Sequence, residues 1–260
     1  MDDDNRVLQQ WVGVLLGLSV LALAAGHMGF LHPLGDSLSV GRGIAAAAVL
    51  VLAVFASFLG LRMAAFVSML LALLTGAQVT LAYTWPGLTG PYTVYQKNVL
   101  FRNADLPALA ADIRAADPMI VTLQEVLPKN QPFLDGLKDV FPNQLLCPGG
   151  AVGGPAILTR LTPVKGTEVC GPGLAAMQVV AGPVDNPDRF WVVSIHLHWP
   201  WPYQQRDHLK TLLPVLAKLD GPVILAGDFN MVEWAYSVKA LADVTRTKAA
   251  GPTLGTYLGY

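Results

Sequence analysis

Gly227-Asp228-Phe229-Asn230 follows directly on the apolar run Pro222 to Ala226. Side chains alternate along a strand, so an Asp and an Asn two residues apart at its carboxyl end point their oxygens the same way. Two such groups suit hard-metal and phosphate chemistry, although Asp and Asn after a strand also make turns and cap helices. Three further strand ends carry polar groups that packing does not require. Asn98 lies near the end of the run Val94 to Leu100. Gln124-Glu125 follows Met119 to Leu123. His196, with His198 two residues on, follows Trp191 to Ile195. Each has a plain reading by itself: a turn residue, a solvated strand end, a hydrogen-bonded core histidine, a surface histidine. Together they form a set, with one carboxylate to hold a divalent ion, one Asp to orient water, and two amides and an imidazole to hold phosphate. Open α/β sheets place their sites at strand carboxyl ends.

The elements that must carry these residues follow from periodicity. Strands are predicted at Tyr92–Leu100, Met119–Leu123, Asn143–Leu146, Ala156–Leu158, Val164–Val169, Leu174–Val180, Phe190–His196 and Val223–Ala226. Helices are predicted at Asp105–Ala116, Gln131–Lys138, Tyr203–Leu219 and Ala235–Leu241; Leu209, Leu212, Leu213 and Leu216 share one face of the third. Strands and helices mix throughout, which argues for an α/β sandwich with helices outside two sheets. No internal repeat or low-complexity linker interrupts it. Pro86-Gly87-Leu88-Thr89-Gly90-Pro91 is the one hinge-like stretch.

Composition divides the 260 residues in two. The whole is 53% hydrophobic and 13% charged, about half the charge of a soluble domain. Between Trp11 and Thr84 the only charged residues are Asp36, Arg42 and Arg62. This region, residues 1–85, reads as a membrane anchor of three helices: Trp11–Phe30, Ile44–Leu59 and Ala64–Tyr83. His32 to Asp36 is expected to be a polar turn, and Gly60-Leu61-Arg62 a tight one. The acidic start, Met1 to Arg6, and the further apolar runs argue against a cleaved signal peptide. Trp11, Tyr83 and Trp85 fit interfacial positions. Arg6 and Arg62 fall on one side of such a bundle, and Arg42 with everything after Thr84 on the other. Basic residues favour the cytoplasm, so residues 86–260 are expected outside it. The two cysteines, Cys147 and Cys170, could then form a disulfide; two unpaired buried thiols are the alternative.

From about Tyr92 onward the chain resembles the endonuclease/exonuclease/phosphatase superfamily, the deoxyribonuclease I-like fold. The resemblance rests on motifs in a fixed order. Lys97-Asn98-Val99-Leu100 resembles the opening Asn motif and Leu123-Gln124-Glu125-Val126 the Gln-Glu motif. Gly154 to Arg160 is similar to the Gly-rich strand pair, Ser194-Ile195-His196-Leu197 to the Thr-His-Leu motif, and Gly227 to Asn230 with Trp234 and Ser237 to the Gly-Asp-Phe-Asn run and its helix. The resemblance implies a four-layer α/β sandwich and hydrolysis of a phosphoester with Mg²⁺ or Mn²⁺. It implies that Glu125 binds the metal with Asn98 beside it. It implies that Asp228 orients the attacking water, and that Asn230 and His196 contact the phosphate.

The family closes with an Asp-His pair on a last strand, and no His follows His208 in this sequence. The expectation is either a truncated chain or a member that lacks the pair. From Trp85 on, Lys plus Arg number 14 and Asp plus Glu 14 (17 minus Arg6, Arg42 and Arg62; 18 minus Asp2, Asp3, Asp4 and Asp36). A neutral domain lacks the basic stripe that marks duplex binding. The substrate stays open between nucleic acid and phospholipid head group. The functional expectation is a multi-pass phosphodiesterase or nuclease of a bacterial-type inner or plasma membrane, with the bilayer itself as a partner. Its alternative is an inactive binding or scaffold domain.

Overall fold

A computed structural model describes residues 3–183, 185 and 187–253. It begins with four helices: α1 (Asp3–Gly26), α2 (Pro33–Ser39), α3 (Arg42–Phe58) and α4 (Arg62–Thr84). By length and composition, α1 and α4 are each able to cross a membrane. The pair α2 and α3 does so only if taken as one span bent by 74°. Small residues let these helices approach closely. Ala46, Ala53 and Ala56 of α3 are buried against Ala65 and Ala72 of α4 and Leu16 and Leu23 of α1. Their outer faces are apolar and uncovered, with Ile44 81% and Phe58 85% exposed.

Two polar contacts set the ends of this bundle. Gln9 Nε2 donates to Leu59 O at 3.1 Å, which places the start of α1 beside the end of α3. Buried Arg42 donates through Nε and Nη2 to Gly26 O at 3.0 and 2.7 Å, a cation at the negative end of α1. Arg6 and Arg62 therefore lie at one end, and Arg42 with the start of the α/β domain at the other. The stretch expected as a polar turn differs. Pro33 opens a helix there, with its fixed φ suited to the first turn, and Asp36 and Ser39 are buried against the domain.

The domain is mixed α/β with two sheets. The first comprises β1 (Val94–Asn98), β2 (Ile120–Val126), β3 (Asn143–Leu146) and β4 (Gly154–Thr159), in the order β1-β2-β4-β3. The second comprises β5 (Thr162–Pro163), β6 (Val169–Gly171), β7 (Leu174–Ala181), β8 (Asp188–His196) and β9 (Val223–Asp228). Its order is β5-β7-β8-β9, with β6 also on β7. Each sheet contains one parallel pair, β1/β2 and β8/β9. Parallel neighbours need a crossover, supplied by α5 (Leu106–Ala116) and α7 (Gln205–Leu216). The remaining helices are α6 (Gln131–Asp135) and α8 (Tyr236–Thr245).

Three apolar layers hold these elements. Leu109 and Ile113 of α5, with Leu134, Leu137 and Phe141, cover Val121, Leu123 and Leu158. Ile120 and Ile157 meet Ala175, Met177 and Val192 between the sheets. Leu209, Leu212 and Leu216 of α7 and Leu241 of α8 cover Val193 and Ile195. Burying each such side chain contributes roughly 1.5–3 kcal/mol.

The predicted strand Val164–Val169 is instead mostly the turn between β5 and β6, and only Val169 lies in a strand. Gly166 takes φ +81°, and Thr167 Oγ1 donates to Val164 O at 2.6 Å and accepts from Gln178 N at 3.1 Å. A hydroxyl that satisfies local backbone groups competes with the sheet ladder.

Candidate active site

The two parallel pairs end on the same side of the domain, and the polar strand ends meet there. Asn98 is the last residue of β1, paired in register with Gln124 of β2. Regular pairing of β2 with β4 breaks between Leu123 and Val126, and Glu125 sits in that bulge at φ +61°. A bulge re-aims a side chain, and this one turns Glu125 into the cleft. It depends on Gly153, where an added Cβ would lie 2.6 Å from the Val126 carbonyl carbon. On the other sheet, His196 ends β8 directly beside Asp228 at the end of β9. Leu197 N donates to Asp228 O at 2.9 Å, extending the ladder by one bond. Asn230, at φ +49°, follows in a left-handed conformation that Asn tolerates better than most residues.

Asn98 is the hub. Its Nδ2 donates to Glu125 Oε1 at 2.9 Å and to Asp228 Oδ2 at 2.8 Å. Its Oδ1 accepts from Leu100 N at 2.8 Å. Glu125 Oε2 accepts from Phe101 N at 3.0 Å. Asp228 Oδ1 accepts from Asn230 N at 2.9 Å, and Asn230 Nδ2 donates to Leu197 O at 2.7 Å. His196 Nε2 lies 3.7 Å from Glu125 Oε1; both side chains are largely buried, 16% and 13% exposed. Asn98, Glu125, His196, Asp228 and Asn230 thus come together at the carboxyl ends of the strands.

Residues behind them hold the arrangement, and of these Gln96, Gln205 and His208 carry no signal of it in the sequence. Gln96 Nε2 donates to Gln124 Oε1 at 2.8 Å, Gln124 Nε2 to Ser194 Oγ at 3.0 Å, and Ser194 Oγ to Leu123 O at 3.1 Å. This chain, exposed at Gln96 and buried at Gln124 and Ser194, links the two sheets behind the strand ends. Gln205 Nε2 donates to His198 O at 2.7 Å and Phe229 O at 3.2 Å, tying the loops after β8 and β9 together. His208, one turn into α7, accepts from His198 N on Nδ1 at 3.2 Å and donates from Nε2 to Pro172 O at 2.8 Å. Burial holds the His208 pKa below its ordinary value; the Pro172 carbonyl opposes this, and the charges of His198 and His196 add to it. His208 is therefore a neutral brace. His198 stacks beside it, with ring centroids 4.3 Å apart, and is absent from the hydrogen bonds around Glu125 and Asp228.

The donor set bears on a metal. Among the described residues, neither Glu125 nor Asp228 has a Lys or Arg within 4.0 Å. Two carboxylates share one amide, and each Glu125 oxygen keeps a free lone pair. This oxygen-rich, cation-poor cleft fits a hard divalent ion such as Mg²⁺, which keeps several waters and takes one or two carboxylates. Among the described residues no three His, Cys, Asp or Glu side chains converge as a complete metal cage. Asn98 aims its NH₂ at the carboxylates, so offering oxygen to a metal would require the amide to turn over and release Leu100 N–H.

Two sheets closing on an acidic cleft at their strand ends define the class, a mixed α/β protein with the donor set for phosphoester chemistry. A match to the Endonuclease/Exonuclease/phosphatase family spans residues 96–257, more than half of the chain. The chain belongs to that family, whose enzymes are phosphoester hydrolases that generally use divalent metals. No curated protein sequence matches the chain. Among solved structures it is similar to TDP2 from Caenorhabditis elegans, at 18% identity over 60% of this chain and 53% of that one, TM-score 0.42. It is similar to beta toxin from Staphylococcus aureus, at 13% identity over 59% and 71%, TM-score 0.43. The human Nocturnin catalytic domain aligns at 21% identity over 60% and 71%, TM-score 0.40. The chain spans 62% of the truncated C. elegans TDP2 and 53% of its longer form.

Proposed function

We propose that this chain is a membrane-anchored, divalent-metal-dependent phosphoesterase, a phosphodiesterase or nuclease. On this reading residues 1–85 anchor residues 86–260, which form a four-layer α/β sandwich. The observation that carries the catalytic part is the Asn98 amide held between Glu125 and Asp228, with His196 and Asn230 at the neighbouring strand ends. Glu125, with Asn98 beside it, would hold the Mg²⁺ or Mn²⁺, which would supply positive charge for the phosphate. Asp228, fixed by Asn98 and by Asn230 N–H, orients the attacking water and takes up its proton. Asn230 and His196 donate to the phosphate oxygens, where charge grows in the transition state. The water oxygen forms the new P–O bond, the ester P–O bond breaks, and the leaving oxygen receives a proton from His196.

The anchor reading is supported by the lengths of α1 and α4 and their uncovered apolar faces. The extracytoplasmic placement is supported by the Cys147–Cys170 disulfide, since disulfides persist in oxidising compartments.

The deciding experiment uses the full chain in detergent with bis-p-nitrophenyl phosphate. Hydrolysis should require Mg²⁺ or Mn²⁺ and stop with a chelator. Glu125→Ala should abolish both turnover and the ion-dependent rise in Tm. Asp228→Asn should lower kcat by ~10²–10⁴-fold. An ion-dependent Tm rise with no turnover would favour the non-catalytic binding domain. A Tm rise unchanged in Glu125→Ala would remove Glu125 from the metal.

A further inference from the structure

Helix α2 joins the N-terminal helices to the two loops that leave the candidate site. Asp36 is buried, with Oδ1 accepting from Tyr236 N at 2.7 Å and Oδ2 from Ser237 N at 3.2 Å. It caps α8 from outside, and Ala235 at the cap position has no side chain to do so. Trp234 Nε1 donates to Ser39 O at 2.7 Å. Ser37 Oγ donates to Trp201 O at 2.8 Å. Arg206 donates to Gly29 O and stacks over the Tyr236 ring, 4.5 Å from its centroid. The domain is therefore docked on the helices in one orientation.

That orientation points the site at the helices. Trp201 comes five residues after His196, and Trp234 four after Asn230. At no more than ~3.6 Å per residue, the site lies within about 20 Å of α2. The amino ends of β8 and β9, with Lys218 at the far end of α7, lie on the opposite side. Around the dock the surface is apolar and exposed: Phe30, Leu31 and Leu34 on the helix side, Trp201 and Tyr203 on the domain side. Phe30, Leu31 and Leu34 follow α1 and lie in or beside α2, and Trp201 and Tyr203 lie in the loop that leaves β8. Amphipathic aromatics at such a level fit the boundary between lipid head groups and acyl chains.

We propose that the cleft opens onto the bilayer surface and that its substrate is the phosphodiester head group of a membrane lipid. This rests on the phosphoesterase reading. A lipid in the same bilayer reaches the cleft by lateral diffusion. A nucleic acid must enter the gap between domain and membrane, with no excess of basic residues to draw it in (14 Lys plus Arg against 14 Asp plus Glu from Trp85 on).

The test uses the full chain in vesicles of dioleoylphosphatidylcholine and dioleoylphosphatidylglycerol with Mg²⁺ or Mn²⁺. Rates are compared for the phosphatidylglycerol, bis-p-nitrophenyl phosphate and a single-stranded oligonucleotide at equal phosphodiester concentration. The lipid should be turned over ~10²-fold faster than the soluble diester, because co-localisation raises its effective concentration. Faster turnover of the oligonucleotide, or equal rates for lipid and soluble diester, would overturn the lipid assignment and leave the phosphoesterase intact. No turnover of any substrate would overturn both. A second arm reads placement without activity. No described cysteine is free, so a fluorophore at Tyr203→Cys or Lys218→Cys reports a single site. Doxyl-labelled lipid should quench the first several-fold more than the second, and equal quenching would overturn the orientation.

Discussion

Asn98 Nδ2 is the only side-chain donor shared by Glu125 and Asp228 among the described residues. Removing it leaves Glu125 Oε1 and Asp228 Oδ2 without that donor, while Phe101 N and Asn230 N still hold their other oxygens, and hydrogen bonds to charged groups contribute about 1.5–3 kcal/mol. Asn98→Ala should lower metal-free stability by about that much in denaturant unfolding. The deficit should shrink when Mg²⁺ is added, because a cation at Glu125 replaces the lost donor; a deficit indifferent to Mg²⁺ would contradict a cation there. His208 makes a pH prediction. Its folded pKa lies below 6.5, so below about pH 6.5 the unfolded chain binds the proton that the folded chain resists. The His208 contribution is thus present above pH 6.5 and lost as pH falls through the folded pKa, at no more than about 1.4 kcal/mol per pH unit. His208→Gln should flatten the fall of Tm between pH 6.5 and 5; an unchanged slope would assign that fall to other groups. Asn98, Glu125, His196, Asp228 and Asn230 were legible in the sequence because each lies at or just past the end of an expected strand. Gln96 and Ser194 were not, since a polar residue inside a strand looks the same whether or not it meets a partner across the sheets.

At the level of elements, α8 borrows its cap. Asp36 reaches Tyr236 N across 200 positions of chain and Ser237 N across 201. Losing an N-cap costs about 0.5–2 kcal/mol, and the buried N–H groups left behind add to it. Asp36→Ala should therefore lower Tm. Asp36→Asn, which keeps one acceptor, should recover part of the loss. Equal stability of Asp36→Ala and wild type would show that α2 does not hold α8. The expected polar turn at His32 to Asp36 and the docked helix found there share the same residues. Only the partner surface on α8 and Trp234 makes seven residues worth folding into a helix, since so short a segment is not stable alone. The turn found over most of the predicted strand Val164–Val169 has the opposite origin, a local bond from Thr167 outcompeting the ladder.

For the whole molecule, the Cys147–Cys170 disulfide joins β6 to the loop after β3 across 23 positions. In the chain-entropy view a loop of that length contributes about 3 kcal/mol. Reduction should lower the Tm of the full chain, and by much less in a Cys147→Ser/Cys170→Ser variant. The same bond ties to topology. A fusion of alkaline phosphatase after the α/β domain should be active and a fluorescent cytoplasmic reporter dark. The reverse pattern would place the domain in a reducing compartment and turn the bundle over.

What is local or periodic can be read from the chain alone. The polar strand ends, most strands and helices of the α/β domain, the three apolar segments and the neutral charge of the domain follow from neighbours in the chain. The tertiary structure decided what depends on residues far apart in it. The Asn98 amide meets Asp228 across 130 positions and Glu125 across 27. The cysteines, open between a bond and two thiols in the sequence, pair because β6 runs beside the end of β3 in space. The docking of the α/β domain on the helices rests on Asp36, Ser37 and Ser39, which nothing nearby in the chain distinguishes from turn residues. Side-chain alternation and helical period are set by the backbone alone, whereas a contact between distant residues exists only once both sheets and the helices have packed.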